Sequence, residues 1–552
     1  MLLNRRVFQN FECNRLRRHQ IFYSIRYKAL GTCFNNNTIG SGRQIVRTKS
    51  DIITHNAQIQ TQSHSAMGFI QQIPKHNPFE SNKTLPYEAI PCADPSNTCS
   101  ISNFIAVTSH QFRQLLTSKW DNRFHEEIDE YHFKFGPIFR KSLKPGINAI
   151  FIKSPELLHD VFTYEGKYPK HPLPEAWTFY NQLHNCQRGL FFMDDAEWME
   201  TRKKLAPLML RNDQRFSAAI ECATDNLIDN FKQIAVYRNQ FTELPQVLTS
   251  LYGWSIHVLV GIIFGNKAPA ICNELRTTID HFAQIVQKVF EDTVPFSSIS
   301  PQLARKLHLP IWTKFERSVT DTLNIANEII DFGLKQSRCD GLLAEMKDLG
   351  MTTQMIKRIF IDLIIAAGDT TAFSTQWALY LLSTDERQQE MIRQELSNTN
   401  KLDVPLLVRG TVRETLRLFP VATFIGRILN KDAILSNYRV GKHTLILISM
   451  YSAGRDETSF PHANEFRPCR WNRHPTTGTL KLVNRAQGSI PYAMGARNCI
   501  GQRIANAQMH IILTKLLRTF KIQLLNANEI DIVMRLIIMP SKPMRFAVKR
   551  ID

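Results

Sequence analysis

Three things are missing from this chain. It has no run of about 20 uninterrupted apolar residues, so no membrane-spanning helix is expected. Its ten cysteines form no CxxC pair, which argues against a disulfide framework or a zinc site and for a reducing compartment. No nucleic-acid-binding motif is present, and that class of partner is set aside. Acid is scarce at one end. Residues 1–50 hold ten Lys/Arg and one acid, Glu12, and so supply nine of the nineteen net positive charges. The remaining surplus is spread over some 500 residues and suits an acidic protein partner or an anionic membrane surface.

What is present begins with that basic end. Arg5, Arg6, Arg15, Arg17, Arg18, Arg26 and Lys28 alternate with Leu16, Ile21, Phe22 and Ile25. An Arg-rich, acid-poor, amphipathic segment predicts a mitochondrial transit peptide over 1–50, with a disordered basic tail as the alternative. No apolar core long enough for a secretory signal follows. Residues 51–105 are rich in Gln, Asn, Ser, Thr and Pro and are expected to be a flexible linker, poorly ordered up to Leu85. A globular domain is expected over 106–552, in line with 43% apolar residues in the chain.

Within that domain, Phe112, Leu115, Leu116, Trp120, Phe124 and Ile128 keep helical spacing, and Gly136-Pro137 breaks it. Ile138–Leu143 and Ile147–Ile152 alternate as a hairpin, and a helix is expected over Pro155–Thr163. Residues 168–193 hold three prolines, Trp177 and several aromatics, Phe191 among them. They read as an irregular stretch folded over a pocket. His171 and His184 in it read as ordinary polar loop residues. Residues 214–345 are mostly helical by pattern, with a break over Pro295–Pro310 that mixes apolar and basic residues. Leu307–Trp312 is the candidate there for touching a membrane surface, and a plain loop is the alternative. The fold class is mainly α with a small β subdomain.

Two stretches carry chemistry. Thr352–Leu382 reads as one helix, apolar nearly all round from Ile359 to Ala367 and therefore buried. Inside it stand Ala366, Ala367, Gly368, Asp369, Thr370 and Thr371. A buried acid without a partner is costly and Gly weakens a helix, so a local cost of this kind points to function. The second stretch is Pro491–Ala505. Gly495 and Gly501 bracket Cys499, and a helical pattern of Ile504, Ala507, Ile511, Ile512 and Leu516 follows. Cys499 is thus expected at a helix N-terminus, where free N–H groups and the dipole favour a thiolate. Arg497 is placed to meet an acid group. A thiolate in a dry pocket beside a cation suggests a haem ligand. A buried structural cysteine is the other reading.

The spacing Tyr492, Gly495, Arg497, Cys499, Gly501 resembles the haem-binding loop FxxGxRxCxG of the cytochrome P-450 family, with Tyr for the usual Phe. The stretch 366–371 is similar to that family's [A/G]Gx[D/E]T, with Ala367 where Gly is usual. The resemblance covers about residues 105–552. It implies the P-450 fold, with a long central helix over a haem b held by the Cys499 thiolate. It implies that Asp369 and Thr370 deliver protons during dioxygen cleavage. Trp198 and Arg202 match a WxxxR pair that binds a haem propionate, and Arg427 is a further propionate candidate. Glu414 and Arg417 match the family's ExxR pair, joined by Arg470 in a structural triad. Arg409 and Arg413 match the two basic residues with which mitochondrial members dock an adrenodoxin-type ferredoxin; a solvated face is the alternative. Trp177, Phe191, Ile365, Ala366, Val421 and Phe424 are the expected lining of a largely apolar substrate pocket, closed by strands near Leu536–Met539.

A closer resemblance joins residues 168–198, 356–379 and 424–433 to the mitochondrial steroid hydroxylases of insects. It implies C2 hydroxylation of the ecdysteroid 2-deoxyecdysone to ecdysone. Electrons would come from NADPH through ferredoxin reductase and ferredoxin, on the matrix side of the inner mitochondrial membrane and in peripheral contact with it. A mitochondrial hydroxylase acting on another ecdysteroid carbon or on a xenobiotic stays open. So do a non-oxidative haem isomerase and a haem sensor, against which Asp369, Thr370 and the Arg409/Arg413 pair argue.

Overall fold

The computed structural model of the chain describes residues 84–94 and 123–551, apart from 145, 211–213, 239, 337, 400–402, 475 and 481. The transit-peptide segment, most of the linker and the first half of the helix expected from His110 lie outside the described residues. The second half of that helix is α1, Phe124–Phe135. It ends where Gly136 turns to φ 90°.

Alternation in the strands then sorts side chains to two faces. Strand β1 (Ile138–Lys144) pairs antiparallel with β2 (Ile147–Ile152), as the hairpin pattern predicts. Two later strands, β3 (Phe424–Ile428) and β4 (Leu445–Ser449), complete a four-stranded sheet in the order β1-β2-β4-β3. β4 runs parallel to β2 and antiparallel to β3. Ile138, Ile150, Ile152, Ile425, Ile446 and Ile448 share one buried face. Phe139 and Phe151 stack at 5.1 Å on the other. Phe424 belongs to this second face, between Phe124 (5.5 Å) and Phe151 (5.9 Å). Its expected place in the substrate pocket is therefore corrected: strand period 2 commits its ring to the sheet.

The linker boundary is corrected too. Residues 84–94 are strapped to the β subdomain. Leu85 N–H donates to Asn437 O at 2.8 Å, and Arg140 N–H donates to Pro91 O at 2.8 Å. Ile90 fills the isoleucine face and is 1% exposed. Polar composition hid this segment because its backbone makes much of the attachment, with Ile90 its one fully buried apolar side chain.

The helices follow. The main ones are α2 (Pro155–Tyr164), α3 (Glu175–Leu183), α4 (Asp195–Met209), α5 (Gln214–Ile234), α6 (Val247–Phe264), α7 (Arg276–Thr293) and α8 (Pro310–Lys335). Then come α9 (Thr353–Thr384), α10 (Glu386–Asn398), α11 (Leu406–Leu418) and α12 (Gln502–Thr519). α3 lies inside the stretch expected to be irregular. Its prolines precede the helix, and Ala176, Trp177 and Tyr180 form its buried stripe. Between α7 and α8, Leu303 (50%) and Leu307 (57%) are exposed, but Trp312 is 4% exposed and packs on Phe179, Phe296 and Phe315. The expected Leu307–Trp312 surface patch is thus corrected to Leu303 and Leu307.

The 32-residue α9 is the core element, N-capped by the Thr352 hydroxyl and packed on α6, α8, α11 and α12. α6 is buried on nearly every face, which explains an apolar composition that by length alone would suffice to cross a membrane. Near the C-terminus a hairpin of Ile532–Arg535 and Ile537–Pro540 reaches back to the core. There Ile538 N–H donates to Val421 O at 3.1 Å, and its carbonyl accepts from Trp377 Nε1 at 3.4 Å.

The loop entering α12 has an unusual backbone. Gly495 sits at φ 76° and Ala493 at φ 57°. The left-handed region costs an alanine roughly 1–2 kcal/mol through its Cβ. Glycine removes that cost, while its freer unfolded chain takes back roughly 0.5–1 kcal/mol. Ala493→Gly is therefore expected to stabilise the protein by up to about 1 kcal/mol, read as a higher denaturant midpoint at unchanged slope.

Candidate active site

Cys499 stands at the start of α12. Its N–H donates to Tyr492 O at 2.9 Å, which closes the loop on itself. The sulfur accepts backbone N–H groups of Gly501 and Gln502, as a helix N-terminus allows. Burial nevertheless pushes the thiol pKa up, and these two N–H groups together with Arg202 only reduce the rise. The expectation that the helix start alone favours a thiolate is corrected: desolvation of the anion outweighs the dipole here. Cys499 is at the same time exposed. The residue is thus accessible although protein groups crowd its sulfur.

Tyr492 is partly buried beside that sulfur, and both desolvation and Cys499 push its phenol pKa up. Its hydroxyl donates to Asn506 Oδ1 at 3.2 Å, and Asn506 Nδ2 donates to Gln502 O at 2.9 Å. The Tyr that replaces the usual Phe is thus matched by a polar partner on the first turns of α12.

α9 shows the complementary opening. Ala366 and Thr370, one turn apart, are exposed although Ile364, Ile365, Gly368, Asp369 and Thr371 are buried. Thr370 Oγ1 donates to Ala366 O at 2.9 Å. Asp369 is 1% exposed, and neither carboxylate oxygen has a hydrogen-bond partner. Burial raises its pKa well above the usual carboxylate range, so it is held protonated. The expected Asp369–Thr370 pair is not brought together. Successive helix residues point about 100° apart, and Asp369 turns into the packing while Thr370 faces the open strip.

Arginines gather near the cysteine loop. Arg202 on α4 hydrogen-bonds Asn498 Oδ1, next to the cysteine. Burial lowers its pKa and Cys499 acts the other way. Trp198, four residues earlier and buried, carries the Arg497 guanidinium over its ring at 4.3 Å. Arg497 also donates Nε to Pro169 O at 2.6 Å, and Nη2 to Met193 O at 2.8 Å and Asp194 Oδ1 at 2.6 Å. Arg427 pairs with Glu165 at 2.9 Å. Glu165 and Asp194 have no local sequence signal. Their partners lie some 300 residues away, and only a contact map would have found them.

A wall of the site is pinned to α9. Asp362, one turn before Ala366, accepts Arg188 Nε and Gly189 N–H, each at 2.7 Å. The Arg188 guanidinium lies over Trp177 (5.1 Å) and Phe192 (4.8 Å). Trp177 Nε1 donates to Thr293 Oγ1 at 3.0 Å, so this expected pocket residue is fixed inside the packing of α3, α7 and α8. Phe191 is half exposed beside His171, while Ile365 and Val421 are buried. Burial, then Arg497 and Arg427, lower the His171 pKa to about 3, and the Phe191 backbone offsets part of the fall.

The expected triad is assembled. Glu414 accepts Arg417 Nη2 at 2.6 Å and Nε at 2.9 Å, and Arg470 Nε at 3.1 Å. Gly410 has no room for a side chain, because the Pro468 carbonyl lies against it. Arg409 and Arg413 are exposed on α11 and make no ion pair among the described residues. They crowd His510, whose pKa falls to about 4 through burial first and then these two cations.

The donor set fits haem. Cys499 offers a sulfur for the iron, and Ala366 and Thr370 form an exposed strip for a flat face. Arg202 is the cation nearest the sulfur for an anionic edge.

Comparison with known proteins agrees. A family model described as cytochrome P-450 matches residues 109–548. Mitochondrial cytochrome P-450 315a1 of Drosophila melanogaster is 39% identical, covering 77% of this chain and 83% of its own. The mitochondrial cholesterol side-chain cleavage enzyme of Oncorhynchus mykiss is 25% identical over 82% and 92%. Mitochondrial cytochrome P-450 11B1 of Rattus norvegicus is 26% identical over 78% and 87%. With four-fifths of its length matched and an exposed Cys499 just before α12, the chain belongs to the cytochrome P-450 family.

Proposed function

We propose that this haem-dependent monooxygenase is the ecdysteroid 2-hydroxylase of an insect-type steroid pathway, converting 2-deoxyecdysone to ecdysone in mitochondria. The observation that carries the catalytic part is the pairing of an exposed Cys499 with the exposed Ala366–Thr370 strip on an otherwise buried helix. The substrate rests on the 39% identity to cytochrome P-450 315a1. It rests also on the stretches that resemble the insect enzyme known as the Shadow protein.

When bound, haem supplies dioxygen activation at its iron, and a cation on the sulfur overcomes the desolvation that otherwise keeps Cys499 protonated. The residues do the rest. Gly501 and Gln502 N–H groups hold the sulfur. Arg202 and Trp198 are assigned to the haem acids. Thr370 offers its hydroxyl oxygen at the open strip as an acceptor, and donates there only by releasing the bond to Ala366 O. Asp369, buried and protonated, is the reserve behind it and reaches that side only by turning its side chain or through water. The loop pinned by Asp362 and Arg188 excludes water from a lipophilic substrate.

Arg409 and Arg413 are assigned to an adrenodoxin-type ferredoxin. Their exposure and the lack of an acid partner among the described residues support the assignment, as do the mitochondrial relatives. The basic segment 1–50 supports import as a transit peptide, followed by linker up to the strap at residue 84. Leu303 and Leu307, next to Arg305 and Lys306, support peripheral contact with the inner membrane on its matrix side.

Reconstitution with NADPH, ferredoxin reductase, ferredoxin and 2-deoxyecdysone tests the substrate, with products mapped by mass spectrometry and NMR. Ecdysone is expected, and hydroxylation at another carbon overturns the C2 assignment. Cys499→Ser is expected to abolish hydroxylation even where haem is retained. In the same assay Thr370→Ala is expected to lower product formed per NADPH consumed by on the order of 10²-fold, with Thr370→Ser restoring most of it. Arg409→Glu/Arg413→Glu is expected to raise the ferredoxin concentration needed for half-maximal rate by at least tenfold at low salt, with little change once ferredoxin saturates.

A further inference from the structure

Glu165 directly follows α2, and its carboxylate is buried. Oε1 accepts the Ala496 N–H at 2.9 Å, three residues before Cys499. Oε2 accepts Arg427 Nε at 2.9 Å. Arg427 donates Nη2 onward to the Met494 carbonyl at 3.2 Å and Nη1 to Gly426 O at 2.9 Å. The same carboxylate occupies the space a side chain on Gly495 would need. The Glu165 carbonyl is itself held by Asn430 Nδ2 at 2.8 Å, which also binds Tyr168 O at 2.7 Å. Met494, Gly495 and Ala496 are therefore each fixed by one buried ion pair.

Two physical points give this arrangement its force. An amide that donates to a carboxylate makes a stronger bond than one that donates to a neutral acceptor. A buried carboxylate tolerates its depth only when every lone pair is met, so the loop amide and Arg427 depend on each other. The loop needs such a hold, because Ala493 sits in the left-handed region.

We propose that Glu165 is a positioning residue for the cysteine ligand. Its carboxylate, anchored by Arg427, sets the path of Met494–Ala496 and through it the place of the Cys499 sulfur. The proposal rests on reading Cys499 as the haem ligand. It gives Arg427 a first duty toward Glu165 and the loop.

The test compares holoenzymes of the full chain. Glu165→Gln keeps an acceptor for Ala496. Glu165→Met/Arg427→Met removes the loop bonds at similar volume and leaves no unpaired charge, so the fold is retained. The readouts are the ferrous–carbonyl Soret band of thiolate-ligated haem, its rate of loss on mild warming, and hydrogen exchange of the Ala496 amide. Glu165→Gln is expected to lose the band within about threefold of the wild-type rate. The double variant is expected to lose it on the order of tenfold faster, the scale of one charge-assisted hydrogen bond, with Ala496 exchanging faster in parallel. Wild-type persistence of the band in the double variant overturns the proposal. So does equal loss in both variants with Ala496 still protected, which would confine Glu165 to neutralising Arg427. A thiolate band that survives in Cys499→Ser would instead overturn the ligand assignment, and the proposal with it.

Discussion

Glu414 is fully buried, and a carboxylate at that depth has to be met by donors on every side. It is met by Nε and Nη2 of Arg417, Nε of Arg470, the Arg467 N–H and Nε1 of Trp471. The two guanidiniums then turn their remaining donors outward. Arg417 takes the carbonyls of Gly454, Ala463 and Glu465, and Arg470 those of Pro461, His462 and Leu482. The described residues between 454 and 483 have little regular structure, and these bonds tie their carbonyls to the two guanidiniums. Because this stretch leads into the cysteine loop, the place of Cys499 is inherited from an anion on α11.

Much of this was legible in the sequence because it is local. The hairpin of β1 and β2, the helix from Pro155, the long α9 and the helix start after Cys499 all follow from spacing within one element. The triad was legible only through the family resemblance, since an acid and an arginine three apart are unremarkable on a surface helix. What escaped was long-range or carried by backbone. Glu165 and Asp194 meet partners 331 and 303 residues away. The strap 84–94 binds through main-chain groups, α3 was hidden by the prolines before it, and Phe424 was misplaced because its strand register was unknown.

The middle of α9 shows why a motif is not yet a geometry. Adjacent letters in the sequence are adjacent in neither direction nor environment on a helix. Thr370 has open space and a bonded hydroxyl; Asp369 has neither space nor a partner. The two are energetically unlike as well, one a neutral donor at a surface, the other an acid whose ionisation is suppressed by depth.

The parallel pairing of β2 with β4 joins residues 149–152 to 445–448, and the Glu165–Ala496 bond spans a similar length of chain. Closures of this length are slow and form late, after shorter contacts have repaid some of the entropy. A chain emerging N-terminus first would therefore hold a nearly complete helical body with an unfinished sheet and an open clasp around Glu165. The last fifth of the polypeptide brings both β4 and the cysteine loop. The cofactor pocket comes into existence at the final stage of assembly, so its supply of haem must be timed to folding that is already almost over.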